Sequence, residues 1–261
     1  MLASLWRYRS FVLGMARREF QARYLGSVLG SAWAILSPLA MIFIYTVIFG
    51  QMMRNRVPGV ADGLGYGIFL CAGVLTWNMF AETLLRCTTV FVDQGNLLKK
   101  MSFPRATLPA IVLVSAIVNF AIVLGLLLLV LLLLGRFPGP AVLGFIPLLL
   151  LQQSFALGTG VVLGVVNVFF RDVAHAIAVV LQFWFWFTPI VYPLGELSGR
   201  VRFLITLNPM TNLVFGYQEI LLHGRWPALG AFVPQLVVAV AMLCLARFAF
   251  RRLAGEMADH L

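Results

Sequence analysis

Charge is what this sequence has least of: 11% of its 261 residues are charged, against about 25% in an average soluble domain. Nine are Asp or Glu, and the lysines are Lys99 and Lys100 alone. So few carboxylates leave no paired acids for hydrolytic chemistry, and neither HExxH nor a nucleophile elbow is present. A phosphate-cradling loop of the form GxxxxGK[ST] cannot be written, because Leu98 precedes the lysine pair. Cysteine is equally scarce. Cys71, Cys87 and Cys244 stand far apart without a CxxC pair, and His175, His223 and His260 are scattered, which excludes a disulfide framework and a thiolate metal site.

What the chain has in abundance is apolar surface, at 62% hydrophobic residues. This defines an integral membrane protein. The net charge of +10 has no soluble domain on which to form a basic groove, so it is read as topology-setting charge, and nucleic acid is not expected as a partner. Charge-free stretches cover 24–53, 63–81, 106–135, 137–170, 173–195, 203–218 and 226–246. Crossing a hydrocarbon core takes roughly 17 to 25 apolar residues, which six of them supply. The stretch 203–218 is short and carries Asn208, Pro209, Thr211 and Asn212, so it reads as re-entrant or interfacial. The expected fold is all-α, with six transmembrane helices in one domain over 1–261. With the N-terminus inside, 13 of the 19 basic residues fall on inner segments, leaving Arg54, Arg56, Arg136, Arg200, Arg202 and Arg225 outside.

The first thirty residues are interrupted by Arg7, Arg9, Arg17, Arg18, Glu19 and Arg23, and the apolar run 11–16 is too short for a signal-peptide core. They are expected to be retained, as an amphipathic helix on the inner surface that buries Leu13, Ala16, Phe20 and Tyr24. Within the spans, Glu82 and Arg86 stand at the spacing of an intrahelical ion pair. Gly160 and Gly164, and likewise Gly26 and Gly30, have the small-xxx-small spacing of close helix packing. The segment 95–109 differs from its surroundings. It holds both lysines, Pro104 and Pro109 confine any helix to a short piece, and Leu97, Leu98 and Met101 form an apolar side suited to docking. The run Phe183, Trp184, Phe185, Trp186, Phe187 circles a helix completely, so a lipid-facing belt cannot account for every ring. Pro189 and Pro193 then kink or end the fifth span.

Five stretches, RREFQARYLGSVLGSAWAILSPL (17–39), GNLLKKMSFPR (95–105), VLGVVNVFFRDV (162–173), FWFWFTPIVYPL (183–194) and LNPMTNLVFGYQEILLHG (207–224), together resemble the membrane subunit of polysaccharide-exporting ABC transporters, O-antigen permeases of the Wzm type above all. The resemblance runs over nearly the whole chain. It implies an N-terminal interface helix (1–30), a coupling helix (95–105) docked on a separate ATPase subunit, and outer re-entrant helices between spans five and six (195–225). ATP and magnesium then belong to the ATPase, with no cofactor in this chain. Two copies of this chain and two ATPases would form an exporter of lipid-linked polysaccharide in the bacterial inner membrane, both termini cytoplasmic. ATPase contacts are expected at Gly95, Asn96, Leu97, Leu98, Lys99, Lys100, Met101, Arg17, Arg18 and Asp172. Sugars present apolar C–H faces, so Trp77, Phe80, Phe183, Trp184, Phe185, Trp186, Phe187 and Tyr192 are expected to line the polymer path. Capsule and teichoic-acid exporters share the pattern. A secondary carrier and a membrane-embedded glycan enzyme are the alternatives from other classes.

Overall fold

A computed structural model describes residues 8–22, 29–50, 63–95, 107–253 and 256–257. Among these the chain is helical, with no strand. Helix α1 (Arg9–Ala22) is followed by α2 (Trp33–Phe43), which a short 3-10 turn introduces and a π-helical segment, Ile44–Phe49, prolongs. Then come α3 (Gly63–Asp93), α4 (Thr107–Leu133), α5 (Phe145–Phe169), α6 (Asp172–Trp186), α7 (Gly199–Thr206), α8 (Pro209–His223) and α9 (Val233–Leu253).

Five of the described helices are long and apolar enough to cross a membrane: Gly30–Phe49, Gly63–Asp93, Thr107–Leu133, Gly139–Phe169 and Leu229–Leu253. Helix α6 stops at 15 residues, about 22 Å, shorter than the charge-free stretch 173–195 suggests. The chain turns at Phe187 to Ile190, where Thr188 and Pro189 are buried and Pro189 has no amide to continue a helix. The stretch 203–218 is divided by Asn208-Pro209 into the end of α7 and the start of α8.

Helix α3 is the axis of the molecule. At 31 residues it is buried along most of its length, against α5, α8, α4 and the π-helical end of α2. Glycines set how closely its neighbours approach. A Cβ on Gly160 would lie 2.6 Å from the Cys87 Cβ, and one on Gly164 would lie 2.5 Å from the Cys87 carbonyl oxygen. The 160/164 spacing therefore is a packing face, as read from sequence. Gly30 is different: its φ of +50° makes a turn and nothing stands within 4 Å, while Gly26 lies outside the described residues.

Helix α1 also departs from its expected face. Its buried residues are Val12 and Ala16, while Leu13 is 58% exposed; Tyr24 lies outside the described residues. The helix is turned so that Val12, Ala16 and Glu19 face α3 and α4 together, because the carboxylate of Glu19 has partners there that a count of apolar residues does not register.

Candidate functional site

Two constellations stand out, one aromatic at mid-length of the bundle and one charged on the α1 side. Trp77 lies fourteen residues into α3, about 21 Å from its start. Its ring meets Trp184 and Phe185 edge-on at 6.1 and 5.9 Å. Phe80 meets Trp184 at 5.3 Å and stacks on Phe155 of α5 at 5.6 Å. Trp77 and Phe80 are thus core residues with essentially no free ring face, because α6 lays its Trp184–Phe185 side over them. The other three rings of the run face outward, Phe183, Trp186 and Phe187 being 64%, 63% and 65% exposed. Their i, i+3, i+4 relation places them on one stripe. The five rings therefore divide by helical phase, two inward and three outward.

The outward stripe walls a groove of about 840 Å³ whose opposite side is Leu197 and, from α7, Val201, Leu204 and Ile205. Tyr192 closes one end, half-buried, its hydroxyl donating to the Trp186 carbonyl at 2.8 Å. A single side chain holds this corner. Asn208 Oδ1 accepts from Trp184 Nε1 at 2.9 Å and from the Met210 amide at 3.0 Å. Its Nδ2 donates to Thr188 Oγ1 at 2.9 Å and to the Phe187 carbonyl at 3.2 Å. All four bonding positions of the carboxamide are used, capping α8 before Pro209 and tying α6 to the α7–α8 turn. Asn208 counts in the sequence only as a polar interruption; the X-Asn-Pro start of a helix is the signal that could have marked it.

On the other side, Glu82 and Arg86 form the expected ion pair at 3.2 Å. They do not stand alone. Arg86 also pairs with Glu19 of α1. The second oxygen of Glu19 accepts from the Ser115 hydroxyl at 2.9 Å, and that of Glu82 from the Asn119 carboxamide at 3.4 Å. Glu82 and Asn119 also border a cavity of about 280 Å³ between α2, α3 and α4, with Ser37 and Asn78. Ser115 and Asn119 went unnoticed in the sequence because each lies in an apolar run whose pattern carries no sign of a carboxylate partner.

Of the expected ATPase contacts, Gly95 is buried just beyond α3, and Arg17 and Arg18 are exposed on α1. Asp172 is exposed at the start of α6, where Asn167 Oδ1 accepts from the Ala174 amide at 3.1 Å and supplies the cap. Asn96, Leu97, Leu98, Lys99, Lys100 and Met101 lie outside the described residues.

Five helices of membrane-crossing length, with a polar network joining a charged helix to them, define a multi-span membrane protein. The family model of the ABC-2 type transporter matches residues 11–222, and the chain belongs to that family. It is 30% identical over 263 residues to the O-antigen export system permease protein RfbA of Myxococcus xanthus, covering 100% of this chain and 99% of that one. A permease of the same name in Klebsiella pneumoniae is 26% identical over 80% of this chain and 79% of its own. The polysialic acid transport protein KpsM of Escherichia coli is 24% identical over 79% of each.

Proposed function

We propose that this chain is the permease subunit of an ABC exporter that moves a lipid-linked polysaccharide, of the O-antigen class, across the bacterial inner membrane, with ATP hydrolysed by a separate subunit. One observation carries the reading: the end-to-end similarity, at 30% identity, to an O-antigen export permease. The 24% identity to polysialic acid transport proteins supports a second reading, export of a capsule-type glycan.

Two copies of the chain enclose the path, and the exposed stripe Phe183, Trp186, Phe187 with Tyr192 offers sugar C–H faces a sliding contact that fixes no register. Trp77, Phe80, Trp184 and Phe185 hold that stripe from behind. Segment 95–105, with Arg17, Arg18 and Asp172, receives the ATPase. Helix α6 and the turn to Pro193 make the sixth crossing in number, fifth in order. Helices α7 and α8 form an outer re-entrant hairpin. Leu222 of α8 packs with Tyr66 and Leu70 near the start of α3, and Gly224 lies against Pro138 of the α4–α5 connection. Asn208, by contrast, sits at the depth of Trp184. In the proposed hairpin the chain descends through α7, turns at Asn208 and returns. Both termini are cytoplasmic.

The test is reconstitution. Vesicles containing this chain, the ATPase encoded beside it and a fluorescent lipid-linked O-antigen are expected to translocate glycan only with ATP and both subunits. Translocation by this chain alone sinks the proposal.

A further inference from the structure

We propose that Glu19 is a positioning residue for export, the tether that makes the surface helix α1 move as one body with α3 and α4. This rests on the permease reading above for its transport readout and for the ATPase contacts at Arg17 and Arg18. The network is cross-braced. Glu19 and Glu82 each place one oxygen on the Arg86 guanidinium and the other on a donor of α4, Ser115 for Glu19 and Asn119 for Glu82. Ser115 and Asn119 stand one turn apart on the same face of α4, so two equivalent carboxylate seats lie side by side. One is filled from within α3. The other is filled by a helix that is remote in sequence, 67 residues from Arg86 and 96 from Ser115.

The remaining hold on α1 is apolar. Val12 and Ala16 are its buried residues, Phe11 and Met15 pack beside them, and Leu13, Arg17 and Arg18 face outward. Glu19 is the one acidic residue in α1, and it turns inward to Ser115 where Arg17 and Arg18, the proposed ATPase contacts, are exposed. A push delivered at Arg17 and Arg18 reaches the polar network of α3 and α4 through Glu19. The neighbouring seat opens the consequence, because Glu82 and Asn119 also wall the cavity between α2, α3 and α4. With Glu19 removed, Arg86 keeps Glu82 as its i, i+4 partner. The loss therefore frees α1 without stranding a cation, whereas loss of Arg86 leaves two carboxylates facing each other.

The experiment uses the full complex with its ATPase in vesicles and compares wild type, Glu19→Gln, the control Gln21→Ala on the exposed side of α1, and the exchange Glu19→Arg with Arg86→Glu. The exchange keeps two carboxylates and one guanidinium but moves the cation onto α1. Spin labels on Gly14→Cys and Phe170→Cys, both exposed, report the position of α1 after Cys71, Cys87 and Cys244 are replaced by Ser. Glu19→Gln is expected to assemble and hydrolyse ATP as wild type does, to lose export at least tenfold, and to broaden the label distance. The exchange is expected to restore both, and Gln21→Ala to change neither. Wild-type export by Glu19→Gln, or lost export with an unchanged label distance, overturns the tether. Should the exchange not assemble, Glu19→Asp replaces it, with an intermediate loss expected and full loss overturning. Absence of glycan export by the wild type would instead count against the permease reading, and the distance measurement would still decide the tether.

Discussion

At the scale of single residues, the corner between α6 and α8 depends on one carboxamide whose four bonds are all made within the protein. Asn208→Ala removes a helix cap, a loss of about 1 kcal/mol, and leaves the Trp184 indole N–H without its acceptor. A drop of several degrees in the detergent melting temperature is expected, together with weaker quenching of tryptophan fluorescence by added glycan as the aromatic groove loses its shape. Asn208→Asp keeps the cap and forfeits the two donated bonds, so it should fall between the two. The glycine face of α5 makes a second residue-scale prediction. Gly164→Leu places a side chain where its first carbon would already be 2.5 Å from the Cys87 carbonyl. Overpacking of this kind costs about 1–3 kcal/mol or more. Yield of monodisperse protein should fall sharply, whereas Gly14→Ala, with open space around it, should leave yield unchanged or raise it.

At the scale of elements, α1 separates what a pattern says from what a partner decides. The spacing of Leu13, Ala16 and Phe20 describes an apolar stripe of a surface helix. The observed stripe is rotated to Val12, Ala16 and Glu19, because Val12 packs with Phe11 and Met15 on the cluster of Cys87, Phe91 and Leu108 while Glu19 reaches Arg86 and Ser115. Val12→Asp is therefore expected to release α1 and abolish export, while Leu13→Asp is tolerated; protease sensitivity of the N-terminal segment and export assays separate them. The segment 95–105 carries its own prediction. Reversing Lys99 and Lys100 to Glu while making Leu97 and Leu98 polar removes both the charge and the apolar residues of the segment proposed to dock the ATPase. Co-purification of the ATPase should be lost although the chain still inserts; retained assembly and export would remove the coupling assignment.

At the scale of the whole molecule, the path of the chain between α6 and α9 decides the topology. With 15 residues each, α6 and α8 are too short to cross unaided. The start of α8 sits at the level of Trp184 and its end beside Tyr66 and Pro138, contacts that favour the proposed re-entrant hairpin. Cysteines introduced at Ser198 and His223 in a cysteine-free background are expected to react with an impermeant maleimide from the same, outer face. Labelling from opposite faces would make α8 a crossing and send the C-terminus outside. Legibility followed the physics of burial. Long helices were readable because hydrocarbon demands length and apolarity of each span separately, a property local to the row of residues. The Glu82–Arg86 pair and the Gly160/Gly164 face were readable for the same reason, since both ends of each pattern lie within two turns. The aromatic run announced that some rings must face inward, but not which ones.

Composition and local spacing by themselves determined that this chain lives in a membrane, which stretches are apolar enough to span it, and that no GxxxxGK[ST] nucleotide loop is written in it. Only the tertiary structure decided where helical phase points. It turned Trp184 and Phe185 onto Trp77 and Phe80, left Phe183, Trp186 and Phe187 outside, and brought Glu19 to Arg86 across 67 residues of sequence. The reason is that a side chain's partner is chosen by the distance left after helices pack, and no one-dimensional pattern contains that distance.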